Sequence, residues 1–349
     1  MDPTGLLFLT SGLYMGWSLG ANDAANIFGT AVGTRMVRFR TAAVICALFI
    51  TLGAVLSGRG AAGGLTDVGA VNALAGSFVV SATAALTVTI MTRAGLPVST
   101  TQAIVGAIVG WNLFSGMPTN PEALTTIVAT WIYGPILGAL IALILFYIVR
   151  YVLSRVKVHL IRLDRYTRTA LILAGVFGAY SLGANNMANV VGVFLEASPF
   201  RPVTVFGVTL SGEQQLFALG GIAASVGVAT YSQRVMSTVG AELYKLSPVT
   251  AFIVIASTAT VLFLFASEGL EAWLQARGLP SFPLVPVSQS QAAVGSIIGV
   301  SLARGGRNLN WRLLGNIVVG WVATPTAAGL LSYLALFFMQ NVFLQQVYV

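Results

Sequence analysis

The chain has 349 residues, of which 56% are apolar and only 8% charged, with a mean hydropathy of +0.87. A soluble domain carries about 25% charged residues, and this composition cannot cover a water-facing surface of the size such a chain needs. An integral membrane protein is the reading that remains, and one cysteine, Cys46, leaves no disulfide framework or cysteine metal site.

The opening Met1-Asp2-Pro3-Thr4 lacks the basic start of a signal peptide, so the first apolar run reads as structure. Runs of about 17 to 25 apolar residues cross ~30 Å of hydrocarbon as helix. In chain order the candidates are residues 5–28, 41–57, 69–91, 99–115, 123–149, 169–195, 214–232, 249–267, 288–303 and 313–346. The fourth and ninth are short and polar at their starts, and the last is long enough to tilt or break.

Placing the N-terminus outside puts fifteen basic residues in cytoplasmic segments. They are Arg35, Arg38 and Arg40; Arg93; Arg150, Arg155, Lys157, Arg162, Arg165 and Arg168; Arg234 and Lys245; and Arg304, Arg307 and Arg312. Only Arg59, Arg201 and Arg277 then lie outside. That bias has the sign of the positive-inside rule, so the formal charge of +8 reads as topology facing anionic lipid and not as nucleic-acid binding. A multi-pass plasma-membrane protein follows, with both termini outside and residues 150–168 cytoplasmic.

The chain repeats itself. Ser18-Leu19-Gly20-Ala21-Asn22-Asp23-Ala24-Ala25-Asn26 returns as Ser181-Leu182-Gly183-Ala184-Asn185-Asn186-Met187-Ala188-Asn189, identical at seven of nine positions. Pro97-Val98-Ser99-Thr100-Thr101-Gln102-Ala103 returns as Pro286-Val287-Ser288-Gln289-Ser290-Gln291-Ala292, and Trp131 and Pro135 are echoed by Trp321 and Pro325. Five spans per half is an odd number, so the two copies enter the membrane from opposite sides, as in transporters that alternate access around a midplane site. The expected fold is all-α and integral to the membrane, with about ten to twelve segments in two inverted-topology repeats containing broken or half helices. The first repeat occupies residues 1–149, the basic linker 150–168, and the second repeat 169–349.

Asp23 is the one acidic residue embedded within a span, and an intramembrane carboxylate is costly enough to be a functional candidate. Gly20, Asn22 and Asn26 around it favour a broken helix whose oxygens surround a hard cation; the plainer reading makes Asp23 the cap of a kinked helix. In the second motif, Ser99, Thr100 and Thr101, or Ser288 and Ser290, fall in a first helical turn. Free N–H groups, hydroxyls and the positive dipole end make such a turn an oxyanion site. Gln102 and Gln291 are additional candidate donors. Hydroxyl residues also cap helices with no ligand at all, but two copies in opposed halves favour binding. No lysine or arginine lies mid-span, so a divalent oxyanion beside Asp23 needs accompanying cations or protons. Symport follows. The lone His159 reads as a solvated linker residue, and no nucleotide loop, metal-ligand cluster or nucleophile–base set marks an enzyme or calls for a cofactor.

At these motifs the sequence resembles the inorganic phosphate transporter (PiT) family, which carries a Gly-Ala-Asn-Asp-x-Ala-Asn signature in each half and a Pro-Val-Ser-Thr-Thr type segment downstream. The first signature stands here as Gly20 to Asn26, followed by Phe28-Gly29-Thr30. The resemblance implies a symporter for inorganic phosphate coupled to Na⁺ in many members and to H⁺ or metal–phosphate in others, working as a homodimer. It implies cations at Asp23, Asn26, Asn186 and Asn189. It implies phosphate at Ser99, Thr100, Thr101, Ser288, Gln289 and Ser290, with Asn22 and Asn185 beside them, and the candidate donors Gln102 and Gln291 join that set. The chain departs from the pattern twice: Asn186 stands where aspartate is common, and Gln289 replaces a hydroxyl residue. Sulfate transport and an anion channel are the competing functions. A channel needs multiple weak sites along an open pore, which doubled broken-helix motifs do not provide.

Overall fold

The structure is a computed structural model that describes residues 3–93, 98–156, 159–205, 207–233, 235–236, 246–306 and 309–349. Pro97, Lys157, Arg234, Lys245 and Arg307, used above in the second motif and the charge balance, lie outside these residues.

Every apolar run falls on helix. The first half holds α1 (Pro3–Gly33), α2 (Phe39–Thr66), α3 (Leu74–Arg93), α4 (Thr100–Ser115) and α5 (Pro121–Arg155). The second holds α6 (Leu160–Asn186), α7 (Ala188–Val191), α8 (Gly212–Gly227), α9 (Pro248–Leu264), α10 (Glu268–Gln275), α11 (Gln289–Ala303) and α12 (Trp311–Asn341). The helix starts are written locally. Asn120 accepts from the Glu122 and Ala123 amides ahead of Pro121, and Ser211 and Gln214 form a reciprocal capping box on α8. A two-stranded antiparallel hairpin, β1 (Val203–Val205) with β2 (Val208–Leu210), precedes α8. It was not expected from the sequence because it lies between spans and is too short for a clear alternation.

Among the described residues, six helical runs are long and apolar enough to cross a membrane, and a seventh forms if α9 and α10, bent by 66°, count as one. At 1.5 Å per residue α4 and α11 reach only about 24 and 22 Å, short of the ~30 Å hydrocarbon core. Both start inside the protein, for their caps Ser99 and Ser288 are each 1% exposed. The linker 150–168 is largely helix, because α5 runs to Arg155 and α6 begins at Leu160. His159 is exposed there and caps α6, its Nδ1 accepting from the Ile161 amide.

Two expectations need correction. The first signature does not break its helix: α1 is continuous through Gly20 to Asn26. Gly20 serves close approach, since a side chain there would strike the Ala224 carbonyl of α8. Asp23 therefore sits mid-helix and caps nothing. The second signature departs from regular α-helix for one residue, Met187, which keeps right-handed helical φ and ψ of −66° and −22°, and the run continues to a 3₁₀ turn at Gly192–Phe194 as one candidate span, Ile161–Phe194.

Helices pack in matched couples. Helix α1 packs on α8 and α2 on α6; α4 packs on α12 and α5 on α11; α1 packs on α3 and α6 on α9. The closest approaches match as well. Gly106 faces the Pro325 carbonyl across α4–α12, while Gly295 faces the Pro135 carbonyl across α11–α5. With no hydrophobic drive between helices in lipid, such glycine-lined backbone contacts hold the bundle by dispersion. Large apolar side chains cover the outside: Ile132, Ile136, Leu140 and Ile144 of α5 are exposed, as are Val319, Val322, Leu330 and Leu334 of α12. In water this would be a liability; against acyl chains it is the favoured surface.

Candidate functional site

The interior holds a polar network at the level of Asp23, assembled from α1, the starts of α4 and α11, and the junction of α6 and α7. Asp23 is 1% exposed. One carboxylate oxygen accepts from Asn22 Nδ2 at 2.8 Å and the other from Thr100 Oγ1 at 3.1 Å, so α1 is tied to the first turn of α4. Ser99 caps that turn by accepting from the Gln102 amide at 3.1 Å, and Ser288 caps α11 by accepting from the Gln291 amide at 3.3 Å.

Thr101 joins the halves. Its hydroxyl donates to the Val287 carbonyl, 3.4 Å away just ahead of α11, and accepts from Asn189 Nδ2 at 2.9 Å. The two hydroxyl-bearing turns are thus neighbours in one buried region. Ser99, Thr100, Thr101, Gln102, Ser288, Gln289, Ser290 and Gln291 are all between 0 and 3% exposed. Ser288 and Ser290 share a hydroxyl–hydroxyl hydrogen bond of 3.2 Å.

Asn22 and Asn185 hold the two segments that enter these turns. Asn22 Nδ2 also donates to the Val98 carbonyl at 3.3 Å. Asn185 donates to the Val285 carbonyl at 3.0 Å and accepts from the Val287 amide at 2.7 Å, committing both ends of its amide to backbone. These contacts explain why an extended stretch stays ordered inside a bundle: its backbone groups find side-chain partners.

Among the described residues, other polar atoms are buried with no protein partner: both amide atoms of Asn186, Asn189 Oδ1, Gln102 Oε1, Gln291 Oε1 and Ser181 Oγ. A polar atom buried without a partner costs roughly 1–3 kcal/mol; Asn112 Oδ1, Ser301 Oγ and Ser332 Oγ share that state elsewhere in the bundle. Asn26 differs in being partly exposed, one turn beyond Asn22 on α1. The donor set is one carboxylate with neutral amide, hydroxyl and carbonyl oxygens. Hard cations choose such oxygens, and an oxyanion is met by the hydroxyls, amides and helix starts.

Sequence reasoning missed Thr92, whose hydroxyl donates to Asn22 Oδ1 at 3.3 Å, and the Val98 and Val287 carbonyls. Thr92 carries no local signal; the two valines stand inside the repeated Pro-Val-Ser segment, where only backbone pairing gives them a role.

Residues 19–332 match the phosphate transporter family. The chain belongs to that family. As a family member it is a multi-pass membrane protein and not an enzyme. It is 28% identical to a protein of Pyrococcus abyssi named as a phosphate permease, with 95% of this chain and 97% of that one covered. A Chlamydia pneumoniae protein named likewise is 27% identical, covering 98% of this chain and 100% of that one. Among solved structures, the sodium-dependent phosphate transporter superposes with a TM-score of 0.77 at 26% identity, covering 97% of this chain and 100% of that chain.

Proposed function

We propose that this chain imports inorganic phosphate by symport with cations, Na⁺ first and H⁺ as the alternative, through alternating access. The observation that carries the reading is the meeting of the two hydroxyl-bearing turns, bridged by Thr101, beside the single buried carboxylate of Asp23. A phosphate there would be held by Ser99, Thr100, Thr101, Ser288, Gln289 and Ser290, while Asn22 and Asn185 position the turns. Asp23, Asn26, Asn186 and Asn189 would take the cations, supplying charge that no mid-span lysine or arginine provides. Cations must enter with the anion because a bare oxyanion next to a carboxylate has no counter-charge.

Phosphate is favoured over sulfate by Gln102 Oε1 and Gln291 Oε1, two buried acceptors with no donor among the described residues. Near neutral pH phosphate still carries a proton to donate to such an acceptor, and sulfate carries none. The reading further includes two inverted-topology halves, 1–149 and 169–349, with the bends and half helices making up ten crossings or half-crossings. Matched packing of α1–α8 with α2–α6, and of α4–α12 with α5–α11, supports it. Both termini lie outside, the linker is cytoplasmic, and the working unit is a homodimer in the plasma membrane.

The test is uptake of labelled phosphate and labelled sulfate into proteoliposomes under an imposed Na⁺ gradient, a pH gradient, or neither. Phosphate accumulation against its gradient that requires inward Na⁺ is expected. Equal uptake with no cation gradient would remove symport, and preferential sulfate uptake would remove the choice of anion.

A further inference from the structure

Where α5 leaves the bundle and α6 enters it, the two helix ends and the start of α9 enclose a groove of about 300 Å³. Val149 and Val152 of α5 with its C-cap Val156, Leu163 and Thr167 of α6, and Phe252 of α9 line it. The exposed surface of these walls is apolar, so ordered water would have no partners there.

The same two helix ends carry Arg150, Arg155, Arg162, Arg165 and Arg168, all exposed, against the single acid Asp164. Asp164 pairs with Arg168 at 3.5 Å, and Arg155 lies 5.2 Å from the centre of the Tyr151 ring. Among the described residues Arg150, Arg162 and Arg165 have no ion pair. The groove residues on α5 form one stripe, and Arg150 and Arg155 follow from the helical repeat at roughly 100° to either side of it. Arg162 flanks the α6 stripe in the same way. Exposed Tyr151 and Tyr166 stand at this level too, the depth at which amphipathic rings meet lipid headgroups. Basic pockets between helix ends at the membrane surface recognise anionic headgroups, whereas a soluble anion has no use for the apolar groove beside them.

We propose that this groove is a binding site for an anionic phospholipid, with an acyl chain between α5, α6 and α9 and the headgroup phosphate met by arginines that flank it, Arg150 on α5 and Arg162 on α6. The site is separate from the buried network at Asp23 and stands whether or not that network carries phosphate.

The full chain, reconstituted in equal amounts of phosphatidylglycerol and phosphatidylcholine with the same acyl chains, is extracted in detergent, and its retained lipids are read by native mass spectrometry. Phosphatidylglycerol should be retained in preference. Each of Arg150→Gln and Arg162→Gln should weaken that retention about fivefold, and Leu163→Trp, which fills the groove, should abolish it. Arg201→Gln, in the segment ahead of β1, should change nothing. Should Leu163→Trp lose the wild-type size-exclusion profile, the arginine pair decides. Equal retention of the two lipids, or arginine variants that hold phosphatidylglycerol as well as wild type, would overturn the proposal. So would glycerol phosphate displacing the lipid at equal concentration, which would make the arginines a patch for free anions.

Discussion

Replacing Asp23 by asparagine keeps the shape of the side chain and removes the only carboxylate of the network. The structural loss is modest. Asn22 Nδ2 and Thr100 Oγ1 both donate to the carboxylate, and an amide presents one acceptor oxygen in place of two. One charge-assisted hydrogen bond is forfeited, a loss of about 1.5–3 kcal/mol, which the Thr100 hydroxyl offsets in part by turning to accept from the new amide. The electrostatic loss is larger. A monovalent cation about 4 Å from a carboxylate gains roughly 4 kcal/mol at an effective dielectric constant near 20. Removing that attraction weakens cation binding on the order of a thousandfold. The assay is phosphate uptake in proteoliposomes as external Na⁺ is titrated, with thermal unfolding followed in parallel. Asp23→Asn should unfold within several degrees of wild type yet no longer respond to Na⁺ in the range that saturates wild type. A variant that transports with an unchanged half-saturating Na⁺ concentration would refute the assignment of Asp23 to the cation.

Thr101→Val removes the hydroxyl that donates to Val287 and accepts from Asn189, leaving two buried groups unpaired. Apparent phosphate affinity should fall by about 1–3 kcal/mol, or roughly 5- to 150-fold, while a titration with unaltered affinity would take Thr101 out of the site. Gln102→Leu deletes a buried acceptor that has no protein donor, so phosphate uptake should drop while sulfate competition becomes more effective; dual-label uptake with an unchanged ratio would argue against selection at this position. Gly20→Ala places a methyl group against the Ala224 carbonyl and should destabilise the α1–α8 contact by roughly 1–3 kcal/mol. A thermal unfolding midpoint equal to wild type would show that the two helices can part there without loss.

Composition and repetition determined the class. Hydropathy alone put helices at all ten apolar runs, because a backbone in hydrocarbon must satisfy its own hydrogen bonds and helix is the local way to do so. Both buried turns were also legible, since Ser99 and Ser288 announce helix starts through capping chemistry that acts over three residues.

What tertiary structure alone decided is how the copies differ and where they meet. The two signatures read almost alike, yet α1 is regular helix through Asp23 while the second copy is irregular at Met187 within a run that continues to Phe194. Both signature glycines serve close approach, Gly20 against the Ala224 carbonyl of α8 and Gly183 against the Ile50 carbonyl of α2, and neither partner is visible in the local sequence. The family resemblance implied a ligand role for Asn185, and the hydrogen bonds of its amide to the backbone at Val285 and Val287 depend on a segment a hundred residues away. The bridge from Thr101 to Val287 likewise spans 186 residues. Propensity, hydropathy and capping act over a few residues and are written in order along the chain; a site formed between two halves exists only once packing has brought them together.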